Sequence, residues 1–539
     1  MEIFRFLQRE TKALDRRLFI LVVFAGILNL LIVSSLTTAA SKVAQHESDL
    51  WELAKVVVAL WAVWLIQGLL LRRINVIVED IVEKVRQRIV NKIRNSELTS
   101  IEHIGRTPPY NAVSTHATTI SRATYGIFSA LSSLVFLCLA FFIILYISVI
   151  AFLIVAGSLA GVLLVLKANH ARVGAHLNEA VSQDNRFVDA FGDSIDGFKE
   201  LKINSAKAHE FFTNHLEPLA RKAKDLRVEA GLVITRTAVL MNTSVFMVLA
   251  ALIFLLPVLS PAEASKLTML SIFVVFIFGP INQVVQVYPL FNDAVASIKE
   301  VQRVERQLDS AHDPGLADTM ALVNAMPDFA TLQCTGLAFR YLDEHGRPSF
   351  SLEPLTFRLS KGDLVFITGG NGSGKSTFLK VLAGLYLPAL GSIAVNGVLV
   401  VPSNRQSYRN LFSPIFSDVH LFDFVYGVET VEPSLLRGLL EMAELSHKVS
   451  IVDRQVISEG LSTGQRKRLA LVLALLEDKP ILLLDEWAAE QDPPFRRKFY
   501  REILPWLKQQ NKTIVAVTHD DDHYDVADRV LKMRTGRFV

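Results

Sequence analysis

Gly369-Gly370-Asn371-Gly372-Ser373-Gly374-Lys375-Ser376-Thr377 fits the spacing G-x-x-x-x-G-K-[ST] of a phosphate-binding loop. Its glycines let the backbone close around a phosphate where a Cβ would collide. Lys375 would reach the β- and γ-phosphates of ATP, and the Ser376 hydroxyl would ligate Mg²⁺. Further along, Ile481–Leu484 is an apolar run that ends in Asp485 and Glu486. Asp485 is placed to hold Mg²⁺ and Glu486 to accept a proton from an attacking water. Thr513–Thr518 is a second apolar run and ends in His519, which would touch the γ-phosphate. A lone histidine at a strand end is commonly structural; here it is the last of an ordered set. Between the phosphate loop and the first of these runs, Leu461-Ser462-Thr463-Gly464-Gln465 opens a helix whose N–H groups form a second anion site, unless it is only a well-capped helix. Upstream, Tyr341 could stack on a purine, the alternative being a tyrosine of the sheet core.

These residues need particular elements to position them. Leu364–Thr368 reads as a buried strand that feeds the glycine loop, and Phe378–Ala383 as the helix leaving it. That order aims several N–H groups and the positive end of a helix dipole at one point. The acids emerge at the carboxyl edge of a buried strand, where open α/β sheets bind ligands.

The remaining sequence is of another kind. The chain has 539 residues, 51% of them hydrophobic, and a mean hydropathy of +0.35, which points to membrane spans and to more than one domain. Apolar stretches lie near 18–36, 53–71, 127–147, 149–166, 239–259 and 267–287, each near the length that crosses hydrocarbon as a helix. The first follows the basic Met1–Arg17 and is longer than a signal-peptide core; it reads as a retained span. The long loops Arg72–Arg122 and Lys167–Arg236 are rich in Lys and Arg, whereas Ser41–Asp49 and Ser260–Lys266 have one lysine each. The positive-inside rule places the N-terminus, both long loops and the C-terminal half in the cytoplasm. Ile74, Ile77, Val78, Ile81, Val82, Val85, Ile89 and Ile93 recur at helical steps, so spans continue as helices beyond the membrane. Thr107–Tyr110 and Asp193–Ser205, near the loop middles, are the expected contacts to a soluble domain, or else solvated tips.

Asn282, Gln283 and Gln286 form a polar cluster in the sixth span, with Asn29, Gln67 and Asn242 elsewhere. A substrate pathway and interhelical hydrogen bonding both account for them. The expected organisation is a transmembrane domain over 1–312, a linker over 313–327 containing Pro314, Gly315 and Pro327, and an α/β nucleotide-binding domain over 328–539. Cys138 and Cys334 are too far apart in sequence and context to suggest a disulfide, and no Cys/His cluster suggests a structural metal. The net charge of +3 gives no sign of nucleic acid.

Taken in order, the motifs of the C-terminal half resemble the nucleotide-binding domain of ATP-binding cassette proteins, the signature Leu461–Gln465 being specific to that family. Six spans followed by one cassette resemble a half-transporter of the exporter type. Within the cassette, Tyr408–Ser413, Ile415–Phe422 and Asp485–Pro493 look like the cyclic-peptide exporter subfamily, which secretes siderophore-type, lipopeptide or lasso-type peptides across the bacterial inner membrane. The resemblance implies a homodimer that sandwiches two ATP molecules with Mg²⁺, each between one copy's phosphate loop and the other's signature, with Asp492 counted among the ATP-binding residues. It implies a multi-pass protein of the inner membrane, moving a peptide by alternating access. Most cassettes have a metal-binding glutamine where Ser417 falls; here Ser417 or Asp418 must serve. A lipid or glycolipid flippase, an ATP-gated regulator and one half of a heterodimer are the alternatives.

Overall fold

The computed structural model describes residues 6, 16–44, 50–261, 266–311, 313, 328–342 and 347–539. The chain forms two compact units: Met1–Gln87 with Asn111–Gln302, and Arg88–Tyr110 with Arg303–Val539. Pro314, Gly315 and Pro327 lie outside the described residues.

The first unit is helical. Its long helices are α1 (Arg16–Ala44), α2 (Leu50–Arg94, whose last turns belong to the second unit), α4 (Ala117–Ile147), α5 (Val149–Asp196), α7 (Glu217–Phe254) and α8 (Leu267–Ser310). Among the described residues, five helices are long and apolar enough to cross a membrane, and α5 adds the shorter apolar run Val149–Val162. Several exceed a bilayer's thickness: α2 has 45 residues and α5 has 48, more than twice the ~20 that span hydrocarbon. The stripe Ile74, Val78, Ile81, Val82 and Val85 is buried, while Val76 is exposed, as the helical spacing predicts. One residue separates α4 from α5. Ser148 is extended (φ −156°) and its Oγ accepts from the Ala151 amide at 3.1 Å, so it ends one helix and caps the next. The second loop's short helix α6 (Phe198–Ile203) has no buried residue.

In the second unit, the helix α3 (Leu98–Ile104), drawn from the first long loop, joins the cassette domain. The cassette's antiparallel sheet has the order β2 (Pro348–Ser360), β1 (Thr331–Leu342), β4 (Leu390–Val395), β5 (Val398–Leu399). The main sheet has the order β12 (Arg537–Phe538), β11 (Arg529–Arg534), β3 (Leu364–Thr368), β10 (Thr513–Val517), β9 (Ile481–Asp485), β6 (Phe412–Ile415), parallel except for β12. Every residue of β3, β9 and β10 is buried, which is why these strands read as unbroken apolar runs. The register pairs Val517 with both Ile367 and Asp485, and Leu484 with Ile415. The glycine loop, the acid pair, His519 and Ser417 therefore all leave the sheet at one edge. A β7–β8 hairpin (Val449–Val452 and Gln455–Ser458) and the helices α10 (Pro433–Met442) and α11 (Thr463–Leu476) form a neighbouring layer.

Candidate nucleotide-binding site

The loop after β3 opens α9 (Lys375–Leu382) and is shaped by backbone that only glycine adopts easily. Gly369 has φ +148°, and a Cβ there would sit 2.2 Å from the Met533 carbonyl oxygen; Gly374 has φ +102° and abuts Phe350. An open pocket of about 410 Å³ is lined by Tyr341, Phe350, Asn371 through Thr377, and Glu486. Tyr341 and the whole latter part of the loop thus face one space, with Phe350 as an aromatic neighbour the sequence did not single out. Lys375 is buried and donates to the loop carbonyls of Gly369 (2.9 Å) and Gly370 (3.2 Å), with Glu486 Oε1 3.6 Å away.

Glu486 holds left-handed backbone, φ +48°, at the end of β9. A non-glycine residue there is strained, and such strain concentrates at functional sites. Its carboxylate meets His519 Nε2 at 3.1 Å. Lys467 on α11 supports this turn from below: buried, it donates to the Glu486 carbonyl at 3.2 Å, and its own carbonyl accepts from Trp487 Nε1 at 2.8 Å. Lys467 follows the signature by two residues, and only the packing of α11 beneath β9 reveals it.

Asp485 is 1% exposed. Burial pushes its carboxyl pKa up, and Ser376, hydrogen-bonded to it, pulls the other way together with Lys375 and Lys467. Its Oδ1 has no hydrogen-bond partner. An orphaned buried carboxylate oxygen beside the hydroxyl of a phosphate-loop serine is a hard-oxygen donor set that fits Mg²⁺. Ser417 and Asp418 follow β6 at the same sheet edge and are exposed; neither lines the pocket.

The signature residues fold as the sequence predicts and lie apart from this pocket. Ser462 caps α11: its Oγ accepts from the Gln465 amide at 3.3 Å, and Gln465 Oε1 accepts from the Ser462 amide at 3.1 Å. Gly464 packs where a Cβ would lie 2.7 Å from the Glu490 carbonyl oxygen. Asp492 also lies outside the pocket. It caps α12 (Pro493–Lys498) and pairs with Arg468, whose guanidinium lies 3.5 Å from the Phe495 ring centre.

In the helical unit, Gln283 lines a cavity of about 410 Å³ with Asn29, Gln67, Tyr125, Ser129, Ser132 and Ser133, among apolar neighbours. Gln283 donates to Ser129 Oγ at 2.5 Å and accepts from Ser133 Oγ, so it also bridges α8 to α4. Asn282 and Gln286 do not line this cavity.

A cassette of this layout, following a helical unit of membrane-spanning length, defines a class of transport ATPase fold. A family model described as ABC transporter matches residues 352–489. ATP-binding protein SyrD of Pseudomonas syringae pv. syringae is 34% identical over 350 residues, 64% of this chain. The chain spans 62% of the length of that relative. The energy-coupling factor transporter ATP-binding protein EcfA1 of Enterococcus faecalis is 33% identical over 222 residues, which are 39% of this chain and 77% of that protein. The solved structure of a bacterial Atm1-family ABC exporter with ATP bound shares the fold, with a TM-score of 0.69 at 18% identity over 98% of this chain and 95% of that one. The chain belongs to the ABC transporter family, and it shares its fold with that Atm1-family exporter structure.

Proposed function

We propose that this protein hydrolyses ATP to export a cyclic or otherwise modified peptide from the cytoplasm across the bacterial inner membrane, working as a homodimer with both termini cytoplasmic. The observation that carries the ATPase reading is Glu486: strained backbone aims its carboxylate at the phosphate pocket, 3.6 Å from Lys375 and 3.1 Å from His519. In the proposed step, a water oxygen bonds to the γ-phosphorus as the bridging P–O bond to ADP breaks, and Glu486 takes the water's proton. Lys375 and the loop amides bind the β- and γ-phosphates, and His519 orients the γ-phosphate. Asp485 and Ser376 would hold Mg²⁺, which neutralises phosphate charge, with Ser417 or Asp418 completing the set.

The signature's separation from the phosphate pocket within one chain supports a two-copy site. There, Leu461–Gln465 of one copy would face the ATP held by the other, and ATP binding and release would open and close the pair. The neutral lining of the helical cavity supports a peptide cargo. Asn29, Gln67, Gln283 and the serines offer donors and acceptors to backbone amides without fixed charge. No described lining residue is a Lys or Arg that an anionic lipid head group would seek. The test is ATP-dependent uptake into inside-out proteoliposomes of a panel of cyclic peptides, siderophores and fluorescent phospholipids. Peptide uptake that falls in Gln283→Ala while basal ATPase survives supports the reading; uptake of lipid alone overturns it.

A further inference from the structure

We propose that Glu102, on the loop helix α3, is a positioning residue of the nucleotide site: through Tyr386 it fixes Tyr341, and so ties base stacking to a loop between two membrane helices. The inference rests on Tyr341 as the stacking platform. Tyr341 Oη donates to Tyr386 Oη at 3.1 Å, and Tyr386 Oη donates to Glu102 Oε2 at 2.6 Å, a short charge-assisted bond. Lys380 closes the cluster, donating to Glu102 Oε1 and to Tyr386 Oη at 3.0 Å each.

The wiring is directional. Tyr386 is 1% exposed, and burial together with the Glu102 bond raises its hydroxyl pKa far above the ordinary range. It therefore stays protonated, gives its proton to Glu102 and leaves its lone pairs for Tyr341 and Lys380. The rings are fixed as well: Phe339 stacks on Tyr386 at 4.9 Å and meets Tyr341 edge-on at 5.0 Å. Lys380 sits on α9, the helix that begins at the phosphate loop. One carboxylate therefore grips the base end of the pocket through two tyrosines and the phosphate end through α9. Glu102 itself is 284 residues from Tyr386 in sequence, and residues 88–110 belong to the same compact unit as the cassette. A site that orders this cluster on binding a base must alter α3 in turn, because coupling between linked equilibria is reciprocal.

The test uses the full chain in nanodiscs with two nucleotides, ATP and CTP, since stacking favours the larger ring system. Glu102→Gln removes the carboxylate charge without changing shape, and its side chain is partly exposed, so folding is preserved. We expect KM for ATP to rise about fivefold, the low end of typical site coupling, with KM for CTP and kcat within twofold. Tyr386→Phe should reproduce this, and the double variant should add nothing. Hydrogen exchange should show ATP protecting the α3 amides in wild type and not in Tyr386→Phe. Equal losses for ATP and CTP, or intact ATP-dependent protection in Tyr386→Phe, overturn the inference. Absence of any ATP hydrolysis in wild type overturns the ATPase reading itself, a separate outcome.

Discussion

Asp485 should cost the protein stability that the proposed Mg²⁺ returns. Its carboxylate is buried, with Oδ1 unpartnered and its pKa raised by burial despite Lys375, Lys467 and Ser376. For a group raised in the fold, the stabilising contribution of protonation is complete below the unfolded value and lost as pH rises through the folded one. Above its folded value the wild-type protein therefore bears the whole cost of a buried, underpartnered charge. Leaving a buried acceptor unsatisfied costs about 1–3 kcal/mol, and the two lysines and Ser376 offset part of it. Asp485→Asn removes the charge and keeps an acceptor for Ser376, so we expect about 1–2 kcal/mol of added stability. For a domain of about 150–250 residues that is a rise of roughly 2–8 °C in the cassette's transition. The assay is thermal unfolding of the detergent-solubilised chain in EDTA at pH 7.5 and at stepwise lower pH, along which the gap should narrow as the carboxyl takes up its proton. With Mg²⁺ and ATP the order should invert, because wild type gains binding free energy and Asp485→Asn loses the proposed metal contact. An EDTA-state transition lower in Asp485→Asn than in wild type would refute the reasoning.

Two further outcomes follow from the site. Lys375→Ala should lose ATP affinity at least tenfold, measured with a fluorescent ATP analogue, because it removes the one cationic side chain lining the described pocket. If Ser417 is the metal's further ligand, Ser417→Ala should lower Mg²⁺-dependent turnover more than Asp418→Ala; the reverse order gives the contact to Asp418, and no effect from either leaves it to water.

The cassette was legible because its chemistry is carried by contiguous runs. The glycine loop and the two apolar strands ending in Asp485 and His519 each announce themselves locally, and the parallel register then brings them to one edge. Five long apolar helices among the described residues were legible for the same reason. What stayed hidden depends on packing between distant segments. Lys467 looks like an ordinary helix lysine until α11 lies under the Glu486 turn. The loop meets the cassette through Leu98, packed on its core, and through Glu102 on α3; Thr107–Tyr110 belongs to the same compact unit, with Pro109 buried and Tyr110 71% exposed. Glu102 could not be picked out from the sequence, because its partners Lys380 and Tyr386 are 278 and 284 residues away. Of the amide cluster in α8, only Gln283 faces the cavity; on a helix, the neighbouring Asn282 points about 100° away.

The central claim is that this cassette hydrolyses ATP with Glu486 as base. Single-turnover hydrolysis by the full chain in nanodiscs, wild type against Glu486→Gln, tests it most directly. Glu486→Gln is isosteric, so ATP binding should persist while the chemical step slows by about 10²–10⁴-fold, the range for loss of a general base. Single-turnover hydrolysis at the wild-type rate in Glu486→Gln would contradict the account.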